Sequence, residues 1–427
     1  MKARDAVDAV DVANVVDVVA LGESMVTFLP KRPGRLADVP SFDRAIGGAE
    51  SNVACALAAA GHSVRWVSRV GADGFGDHLV ETVASYGVDV GRVDRDPVRP
   101  TGVYFRTAGD RATDAHEVAY YRAGSAASAM SVETVDLAAV RAGRILHLSG
   151  ITAALSRDCL DLMRELTAPA DGRPVVSFDV NHRRGLWGSG DGPDVLLELA
   201  RRADIVFVGE DEAEEAWGVT GGPEAVRAML PEPGVLVVKQ GAVGAVAFVS
   251  TAGSRGLVAP RGGAADRYSP APLTGRCSCG RPVSSPSCGQ SCRLGDGGPP
   301  ARAKPSVGEG GRGGTLPAPE SEPTPPPTPP AFEPAPTVDV VAPVGAGDAF
   351  AAGFLSGTLR GLPLRDRLRL GHLFAAAALT TPADLAPPPA RDTADRLTAL
   401  DATAWERLRL GPGWTQADAA EEEVPTP

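Results

Sequence analysis

Short apolar runs alternate with helical stretches along most of this 427-residue chain. Val15 to Leu21 is apolar apart from one Asp and stops at Gly22, and Ala49 to Ala60 has apolar residues spaced by three and four. Unbroken apolar runs are typical of strands buried on both faces, and strands that alternate with helices of about 10–15 residues predict a parallel sheet. The sequence therefore predicts an α/β fold of three layers around a central, mostly parallel sheet. Further strands are expected at 64–70, 145–148, 175–179, 205–208 and 235–238, and further helices at 77–86, 156–167, 193–203, 348–359 and 368–380.

Two segments with a different pattern predict a small β-lid beside this domain. Thr101 to Arg106 and Glu117 to Arg122 alternate between polar and apolar residues and contain tyrosines. This pattern suits an exposed antiparallel flap, because only one face of such a sheet has to be buried. We expect the lid within about residues 23–46 and 100–125.

The overall charge and the apolar content restrict the class of protein. The formal net charge is −11 and the pI is near 5.2, whereas nucleic-acid-binding domains usually carry a basic face. No apolar run approaches the roughly 20 residues that span a bilayer, and the N-terminal segment has too many Asp residues for a signal peptide. We therefore expect a cytoplasmic protein that binds neither nucleic acid nor membrane. Local Arg and Lys residues still allow an anionic small substrate.

The composition divides the chain into one domain and three segments that are predicted to be disordered. Residues 15–250 and 338–415 form the domain, whereas 1–14 is an extension, 251–337 is a long insert and 416–427 is an acidic tail. Pro, Gly, Ser and Arg dominate the insert. Such a composition buries too little apolar surface to offset the conformational entropy lost on ordering.

The insert also contains four cysteines, at Cys277, Cys279, Cys288 and Cys292. A Cys-x-Cys pair followed by a Cys-x-x-x-Cys pair could hold zinc, but the spacing is not that of a familiar zinc ribbon or finger. The alternative interpretation is a reduced, exposed stretch. The insert is either a genuine insertion or the result of a sequence or reading-frame error, and its composition does not separate the two.

The motif Gly345-Ala346-Gly347-Asp348 lies between an apolar segment and an Ala-rich helix. Small residues at a helix start let backbone N–H groups and the positive end of the helix dipole converge on an anion. Asp348 could accept the proton of a hydroxyl group held nearby, which is the work of a general base. The alternative is a Gly-rich helix entry in which the dipole favours an Asp in the first turn.

A second motif, Gly47-Gly48-Ala49-Glu50-Ser51-Asn52, precedes the first predicted helix. Gly48 would let a ligand approach the backbone closely, and Asn52 could cap the helix or contact a polyol. Two glycines before a helix, taken alone, are more often turn chemistry.

Together, the Gly-Gly-x-x-x-Asn-x-Ala stretch and the Gly-Ala-Gly-Asp stretch resemble the ribokinase/PfkB family of carbohydrate kinases. The resemblance implies a ribokinase-like, Rossmann-like α/β domain and a β-lid that pairs with a second subunit to form a homo-oligomer. It also implies transfer of the γ-phosphoryl group of ATP to a sugar hydroxyl with the help of Mg²⁺, and leaves a monovalent cation open. In this reading Asp348 is the catalytic base, and Gly345, Ala346 and Gly347 form the anion hole.

The resemblance extends to the nucleotide and metal sites. The stretch from Lys239 to Gly244 is similar to the family's nucleotide stretch, so Lys239, Gly241 and Gly244 are expected to bind ATP, although a plain turn would also suit both glycines. His372 falls where relatives place a residue near adenine, although a lone His on an apolar helix is usually packed. Glu212 matches the acidic residue of an Asn-x-x-Glu motif and is expected to hold Mg²⁺ through water.

Two positions depart from the family pattern. Gly209 replaces the Asn of the acidic motif, and Ala342 replaces an Asp that helps to order the loop before Gly345 and, in some relatives, to bind a monovalent cation. These departures leave open a catalytically impaired member of the family that acts as a binding protein.

Several stretches resemble the 2-keto-3-deoxygluconate kinase branch of the family. They include Asp179 to Trp187 and the predicted lid, and they suggest six substrate-binding residues: Gly48, Asn52, Tyr104, Tyr120, Arg122 and Arg183. Arginine recognises a carboxylate through two parallel hydrogen bonds, so Arg122 and Arg183 favour an acidic sugar. The expected product is 2-keto-3-deoxy-6-phosphogluconate. One alternative is a neutral sugar such as fructose or another ketohexose. Another is that Arg122 pairs with an acidic surface neighbour and the tyrosines pack the lid.

Overall fold

The computed structural model describes residues 15–32, 34–107, 117–188, 190–250, 329–383 and 385–419, which all belong to one compact unit. Residues 1–14, 251–328 and 420–427 lie outside this part of the chain, and with them most of the predicted insert, its four cysteines and most of the tail.

The predicted α/β alternation is confirmed by the described residues. The strands are β1 (Val16–Leu21), β2 (Met25–Pro30), β3 (Phe42–Gly47), β4 (Val64–Gly71), β5 (Asp89–Asp96), β6 (Val103–Arg106), β7 (Val118–Tyr121), β8 (Gly143–Ser149), β9 (Val175–Asp179), β10 (Ile205–Gly209), β11 (Val235–Lys239), β12 (Gly244–Val249), β13 (Ala331–Pro334), β14 (Thr337–Val338) and β15 (Arg409–Leu410). The helices are α1 (Ala49–Ala59), α2 (Gly74–Ser85), α3 (Leu137–Arg141), α4 (Gly150–Ala153), α5 (Arg157–Thr167), α6 (Gly192–Arg202), α7 (Glu210–Trp217), α8 (Pro223–Met229), α9 (Ala346–Leu359), α10 (Leu364–Leu379), α11 (Arg391–Thr398) and α12 (Ala402–Glu406). Short 3₁₀ turns occur at Ala127–Ala129, Arg184–Leu186 and Trp414–Ala419.

The central sheet has nine strands in the order β13-β12-β11-β10-β9-β8-β1-β4-β5. All neighbouring strands from β11 to β5 are parallel, and β12 is antiparallel to both of its neighbours. The carboxyl ends of the parallel strands therefore meet at one edge, where α/β proteins bind their ligands.

Helices cover both faces of the sheet, so both sets of alternating strand side chains are buried. In β10, Phe207 packs into the core cluster on one face, and Val206 and Val208 pack into the cluster on the other. The ring of Phe207 meets Phe350 and Phe354 of α9 edge to face, with centroids 6.5 and 5.5 Å away. This burial on both sides explains why the strands read as unbroken apolar runs.

A four-stranded sheet in the order β3-β2-β6-β7 forms the predicted lid. The β2–β3 and β6–β7 pairs are antiparallel, as expected of a flap, but β2 and β6 are parallel. The mixed pairing follows from the chain path, because β6 returns to β2 only after the chain has passed through α1, β4, α2 and β5.

Two boundaries of the segments that were predicted to be disordered differ from the structure. The residues that the structure describes begin again at 329 rather than 338, and among them β13 forms the edge of the central sheet beside β12. The Glu333 carboxylate of β13 accepts a hydrogen bond from Arg369 Nε at 2.8 Å, and Trp405 Nε1 donates to the Pro334 carbonyl at 2.8 Å. The prolines around β13 made this stretch look like the rest of the insert, but a proline such as Pro334 is compatible with an edge strand. At the other end, the turn at Trp414–Ala419 extends past the expected boundary at 416.

No helix of the described residues is both long and apolar enough to cross a membrane.

Close contact between α9 and α10 depends on glycines. A Cβ atom on Gly353 would lie 2.4 Å from the Leu370 carbonyl oxygen, and one on Gly371 would lie 2.9 Å from the Phe350 ring. We predict that Gly353→Val lowers the free energy of unfolding by about 1–3 kcal/mol, because the backbone of α10 must shift to make room.

Chemical denaturation measures this change, with Gly74→Ala as the control. Gly74 begins α2, and nothing lies within 4 Å of an added Cβ there, so the control should be neutral or slightly stabilising. Equal stability of Gly353→Val and the wild type would contradict the packing argument.

Candidate active site

The predicted catalytic residues converge at the edge where the parallel strands end. Asp179 ends β9 and Lys239 ends β11, and Gly209, at the end of β10, pairs with Lys239 in the sheet register. The first turn of α9, with Asp348, faces the same edge, since Lys239 Nζ would lie 3.5 Å from a Cβ on Gly347.

The motif from Gly345 to Asp348 forms the start of α9, as the sequence predicts. Gly345 adopts a left-handed conformation, with φ of 74°, immediately before the helix, and Ala346 and Gly347 begin the helix. Their amide groups stand at the positive end of a helix of 14 residues, an arrangement suited to an anion. The preceding loop is tied by Val341 N–H and Ala342 N–H, which both donate to the Leu379 carbonyl at 2.7 and 3.3 Å. These backbone bonds anchor the loop at the position where the family pattern has an Asp.

Asp348 accepts a hydrogen bond from Asn52 Nδ2 at 2.9 Å. Burial raises the pKa of Asp348 to about 7, the Asn52 hydrogen bond lowers it, and the carboxylate of Asp179 raises it. The positive charges of Arg183 and Lys239 favour the ionised carboxylate and so lower the pKa of Asp348. A carboxyl with a pKa near the working pH is well matched to general-base chemistry.

Asp179 was not predicted as a site residue. Its two carboxylate oxygens lie 3.2 and 3.1 Å from Lys239 Nζ, and both side chains are largely buried. Burial lowers the pKa of Lys239, but the carboxylates of Asp179 and Glu212 outweigh this effect and leave the pKa raised. Lys239 is therefore a cation beside the start of α9. An Asp at the carboxyl end of a buried strand was the available sequence signal.

Glu212 lies in the first turn of α7. Its Oε2 accepts a hydrogen bond from Gly209 N–H at 2.7 Å, and its Oε1 lies 3.5 Å from Arg183 Nη1. A Cβ on Gly209 would lie 2.4 Å from Asp211 Oδ1, so a larger residue at this position requires Asp211 to move. Gly209 itself has no side-chain amide. The amide of Gln240 lies at the start of α7, where its Nε2 donates to Glu210 Oε2 at 2.7 Å.

The acidic residues at this edge fit Mg²⁺ bound mainly by water and phosphate. The described residues contain no group of three or more His, Cys, Asp or Glu side chains that could hold a metal. Glu212 and Asp179 instead stand singly, each beside a cation. Mg²⁺ in phosphoryl-transfer sites typically keeps several waters and takes only one or two protein carboxylates.

The stretch from Lys239 to Gly244 forms the turn between β11 and β12. Gly241 has φ of 56°, and Gln240 N–H donates to the Gly244 carbonyl at 2.9 Å. A Cβ on Gly244 would lie 2.4 Å from the Glu333 carbonyl oxygen, so this glycine is required for pairing with β13. The turn interpretation thus accounts for both glycines, and their contact with ATP stays a prediction.

His372 is buried rather than open to a ligand, so its position does not support the predicted adenine contact. Its Nε2 lies 3.1 Å from the Glu333 carbonyl, and its ring meets Phe350 edge to face. Burial lowers the pKa of His372 to about 4, so the neutral ring is the relevant form. The residue packs α10 against β13, which is the ordinary role of a lone His on an apolar helix.

The lid brings Tyr104, Tyr120 and Arg122 together. The two tyrosine rings lie 5.4 Å apart, and the Arg122 guanidinium lies 5.9 Å from the Tyr120 ring centre. Arg122 also forms an ion pair with Glu23, which is buried. Arg122 thus has an acidic partner, as the alternative interpretation expected, but that partner is buried rather than on the surface.

Arg183 lies near enough to Asp348 for its positive charge to lower the pKa of that carboxyl. Its Nη1 donates to the His182 carbonyl at 2.8 Å, and its side chain is half exposed. Asn181 lies two residues before Arg183 and two residues after the end of β9. It adopts a left-handed conformation, with φ of 42°, which turns the chain there. Asn tolerates this conformation better than most residues with side chains.

Gly48 is confined by the protein itself. A Cβ there would lie 2.5 Å from the Glu23 carbonyl oxygen, so the glycine allows α1 to begin against the segment that follows β1. Its neighbour Glu50 is buried and accepts hydrogen bonds from the hydroxyls of Ser149 and Thr152 at 2.8 and 2.7 Å. Sequence reasoning missed Glu50, although an acidic residue in an Ala-rich helix start was visible.

The amino-acid sequence matches a known protein family over most of its length. The family described as pfkB family carbohydrate kinase matches residues 16–261 and 330–391. The chain belongs to this family. It is an ATP-dependent carbohydrate kinase with the ribokinase-like fold.

Members of the family with curated names show two substrate classes. A 2-dehydro-3-deoxygluconokinase of Thermoproteus tenax is 35% identical over 244 residues, which are 55% of this chain and 72% of the relative. A 2-dehydro-3-deoxygluconokinase of Bacillus subtilis (strain 168) is 27% identical over 387 residues, which are 88% of this chain and 94% of the relative. Fructokinase-1 of Zea mays is 30% identical over 204 residues, which are 47% of this chain and 62% of the relative.

Solved structures of PfkB proteins share the fold. The PfkB protein of Polaromonas sp. JS666 has a TM-score of 0.63 at 28% identity, over 89% of this chain and 99% of that chain. A putative Ribokinase II of E. coli, in complex with ATP and Mg²⁺, has a TM-score of 0.64 at 19% identity, over 89% of this chain and 98% of that chain.

The bond from Asn52 to Asp348 generates a prediction about pH. Asn52→Ala removes a hydrogen bond that lowers the pKa of Asp348, so that pKa should rise above about 7. The base acts only when ionised, so the acid limb of kcat/KM against pH should move to higher pH by about one unit, the size expected for a hydrogen bond to a charged group.

Ser51→Ala is the matched control on the same turn of α1. Ser51 Oγ donates to Ser24 Oγ at 2.9 Å, so its loss should leave the pH profile in place. An acid limb that stays at its wild-type pH in Asn52→Ala would disprove the coupling.

Proposed function

We propose that this kinase phosphorylates the terminal hydroxyl of 2-keto-3-deoxygluconate, using ATP and Mg²⁺, to give 2-keto-3-deoxy-6-phosphogluconate. The observation that carries the proposal is that two arginines act on buried carboxyl groups of the candidate site. Arg183, after β9, acts on Asp348, and Arg122, next to the lid strand β7, acts on Glu50. Two relatives that span most of their own length in this match are named 2-dehydro-3-deoxygluconokinase, which supports the same substrate.

In the proposed reaction, Asp348 removes the proton of the sugar hydroxyl. The hydroxyl oxygen bonds to the γ-phosphorus of ATP as the bond to the bridging oxygen breaks, and ADP leaves with the electron pair. The amides of Ala346 and Gly347 and the Lys239 ammonium face the charge on the transferred group. Asn52 holds Asp348 in place, and Asp179 holds Lys239.

Mg²⁺ would neutralise phosphate charge when bound, with Glu212 as the acidic residue that reaches it through water. The putative Ribokinase II of E. coli, solved in complex with ATP and Mg²⁺, supports ATP and Mg²⁺ as the ligands. On the nucleotide side we retain Lys239, Gly241 and Gly244 as proposed contacts and leave out His372, because its ring is packed in the core. Tyr104 and Tyr120 would line the sugar.

A neutral sugar such as fructose is the second candidate substrate. The observation in its favour is that each arginine already faces a carboxylate, Arg122 with Glu23 and Arg183 with Glu212. A compensated arginine attracts an anionic sugar less strongly than a free one. The fructokinase relative also supports this candidate.

A substrate panel decides between the two. We expect ATP consumption with 2-keto-3-deoxygluconate to exceed that with fructose or ribose in kcat/KM. Arg183→Ala should raise KM for the acidic sugar by about tenfold or more, because a charge-assisted hydrogen bond is lost. Arg184→Ala, at the exposed neighbouring position, is the control and should leave KM unchanged.

Asp348→Asn should lower kcat by at least about 100-fold for every sugar that the wild type accepts. A variant within tenfold of the wild type would remove Asp348 from the role of base. The neutral sugar would be the better assignment if the wild type preferred fructose and if Arg183→Ala changed KM for both sugars by the same factor.

We also propose that the chain forms a homodimer through the lid. Phe28, Phe42 and Tyr121 surround Phe105 on one aromatic face of the lid, with ring centres 4.8, 5.3 and 6.0 Å from that of Phe105. This face is opposite to Tyr104 and Tyr120, because side chains alternate along a strand. Tyr121 is 66% exposed, and a groove of about 660 Å³ runs beside it. Exposed aromatic surface of this kind is typical of a protein interface.

Tyr121→Glu should therefore shift the protein from dimer to monomer in analytical ultracentrifugation, because a charge would be buried in the interface. Phe332→Glu is the control, since Phe332 is similarly exposed but belongs to β13 at the far edge of the central sheet. A wild type that sediments as a monomer at micromolar concentration would contradict the proposal.

A further inference from the structure

We propose that Glu23 is a specificity-determining residue: by pairing with Arg122 it limits how strongly the site attracts an acidic sugar. The inference rests on the proposed function, because it assumes that Arg122 faces the sugar. Glu23 itself is a positioning residue and is not expected to touch the reacting atoms.

Glu23 is fixed in place from several directions. It lies two residues after the end of β1, its side chain is 1% exposed, and its Oε2 pairs with Arg122 Nη2. Ser125 Oγ donates to Oε1 at 2.5 Å. A Cβ on Gly102 would lie 3.0 Å from the same oxygen, so the carboxylate fills the space that this glycine leaves open. The position of the carboxylate, and with it that of Arg122, is therefore set before any substrate arrives.

Arg122 has a second acidic neighbour in Glu50. The positive charge of Arg122 lowers the pKa of Glu50, although burial has the larger effect and raises that pKa to about 7. Glu50 Oε1 receives the hydroxyls of Ser149 and Thr152, while Oε2 has no hydrogen-bond partner among the described residues. A Cβ on Gly22 would lie 2.3 Å from either oxygen, so Glu50 packs directly against the residue before Glu23.

Arg122 therefore interacts with two carboxyl groups, with Glu23 by direct contact and with Glu50 through its charge alone. With Glu23 ionised, Arg122 is already compensated, and ionisation of Glu50 makes the group net negative. An incoming sugar carboxylate then meets little net positive charge, whereas a sugar hydroxyl can still accept a hydrogen bond. The charge of Glu23 thus works against an acidic sugar but not against a neutral one, and the effect is strong because screening is weak in a buried site.

Glu23→Gln isolates the charge. Glutamine has nearly the same shape, its oxygen can accept from Arg122, and its amide can donate to Ser125 Oγ once that hydroxyl rotates. We expect KM for 2-keto-3-deoxygluconate, and the inhibition constant of the acidic probe gluconate, to fall by about tenfold. KM for fructose should change less than about twofold, because a neutral sugar carries no charge for the Glu23 carboxylate to repel.

Two further variants separate charge from position. Glu23→Ala also removes the support of Arg122, so it should raise KM for acidic and neutral sugars alike. Glu165→Gln changes an exposed ion-pair residue on α5 and is the control, with no expected change in any constant. If Glu23→Gln does not fold, Glu50→Gln measured at pH 8 tests the same cluster, and the gluconate inhibition constant should fall there as well.

Gluconate keeps the outcome independent of the true substrate. If the wild type phosphorylates only fructose, the proposed function fails, and gluconate inhibition of fructose phosphorylation still measures the charge effect. The inference is overturned if the glutamine variants bind gluconate no more tightly than the wild type, or if acidic and neutral ligands change by the same factor.

Discussion

One hydrogen bond, from Asn52 to Asp348, joins two helix starts that are 296 residues apart in the chain. It requires α1 and α9 to begin at the same edge of the sheet, and the two helices pack into one core cluster that contains Val53, Leu57 and Phe354. Because the Asp348 carboxyl is surrounded by protein, its ionised form depends on this amide and on the cations Lys239 and Arg183. The central sheet provides the other half of the constraint, since Lys239 and Asp179 reach Asp348 only from strands that end together.

Each of three cations at the site is paired with a carboxylate, whereas Asp348 is held by a neutral amide. Lys239 is held by Asp179, Arg122 by Glu23 and Arg183 by Glu212, and each pair fixes a cation at a defined position. Buried pairs contribute little net stability, because the cost of removing two charges from water offsets their attraction. Their benefit is geometric: donors that are already in place need no reorganisation when a phosphate or sugar binds. The same pairing makes the substrate charge difficult to infer from the mere presence of arginines.

Sequence patterns predicted most of the fold, because unbroken apolar runs such as Ile205–Gly209 leave little freedom of interpretation. The Gly-Ala-Gly-Asp motif was placed at a helix start because small residues followed by an Ala-rich stretch are typical of such a position. What remained hidden were the partners: nothing local shows that Glu23 meets Arg122 or that Asp179 meets Lys239, because each contact joins distant segments. β13 was missed because its four residues, ending in Pro334, are recognisable as a strand only beside β12.

β13 completes the edge of the central sheet. It is antiparallel to β12, with Ala247 opposite Ala331. It is also attached to the helices that cover the sheet. His372, through the Glu333 carbonyl, and Arg369, through the Glu333 carboxylate, provide that attachment from α10. Gly244 allows β13 to approach closely, so two residues that the sequence assigned to the nucleotide have a sufficient structural role in holding the sheet edge together.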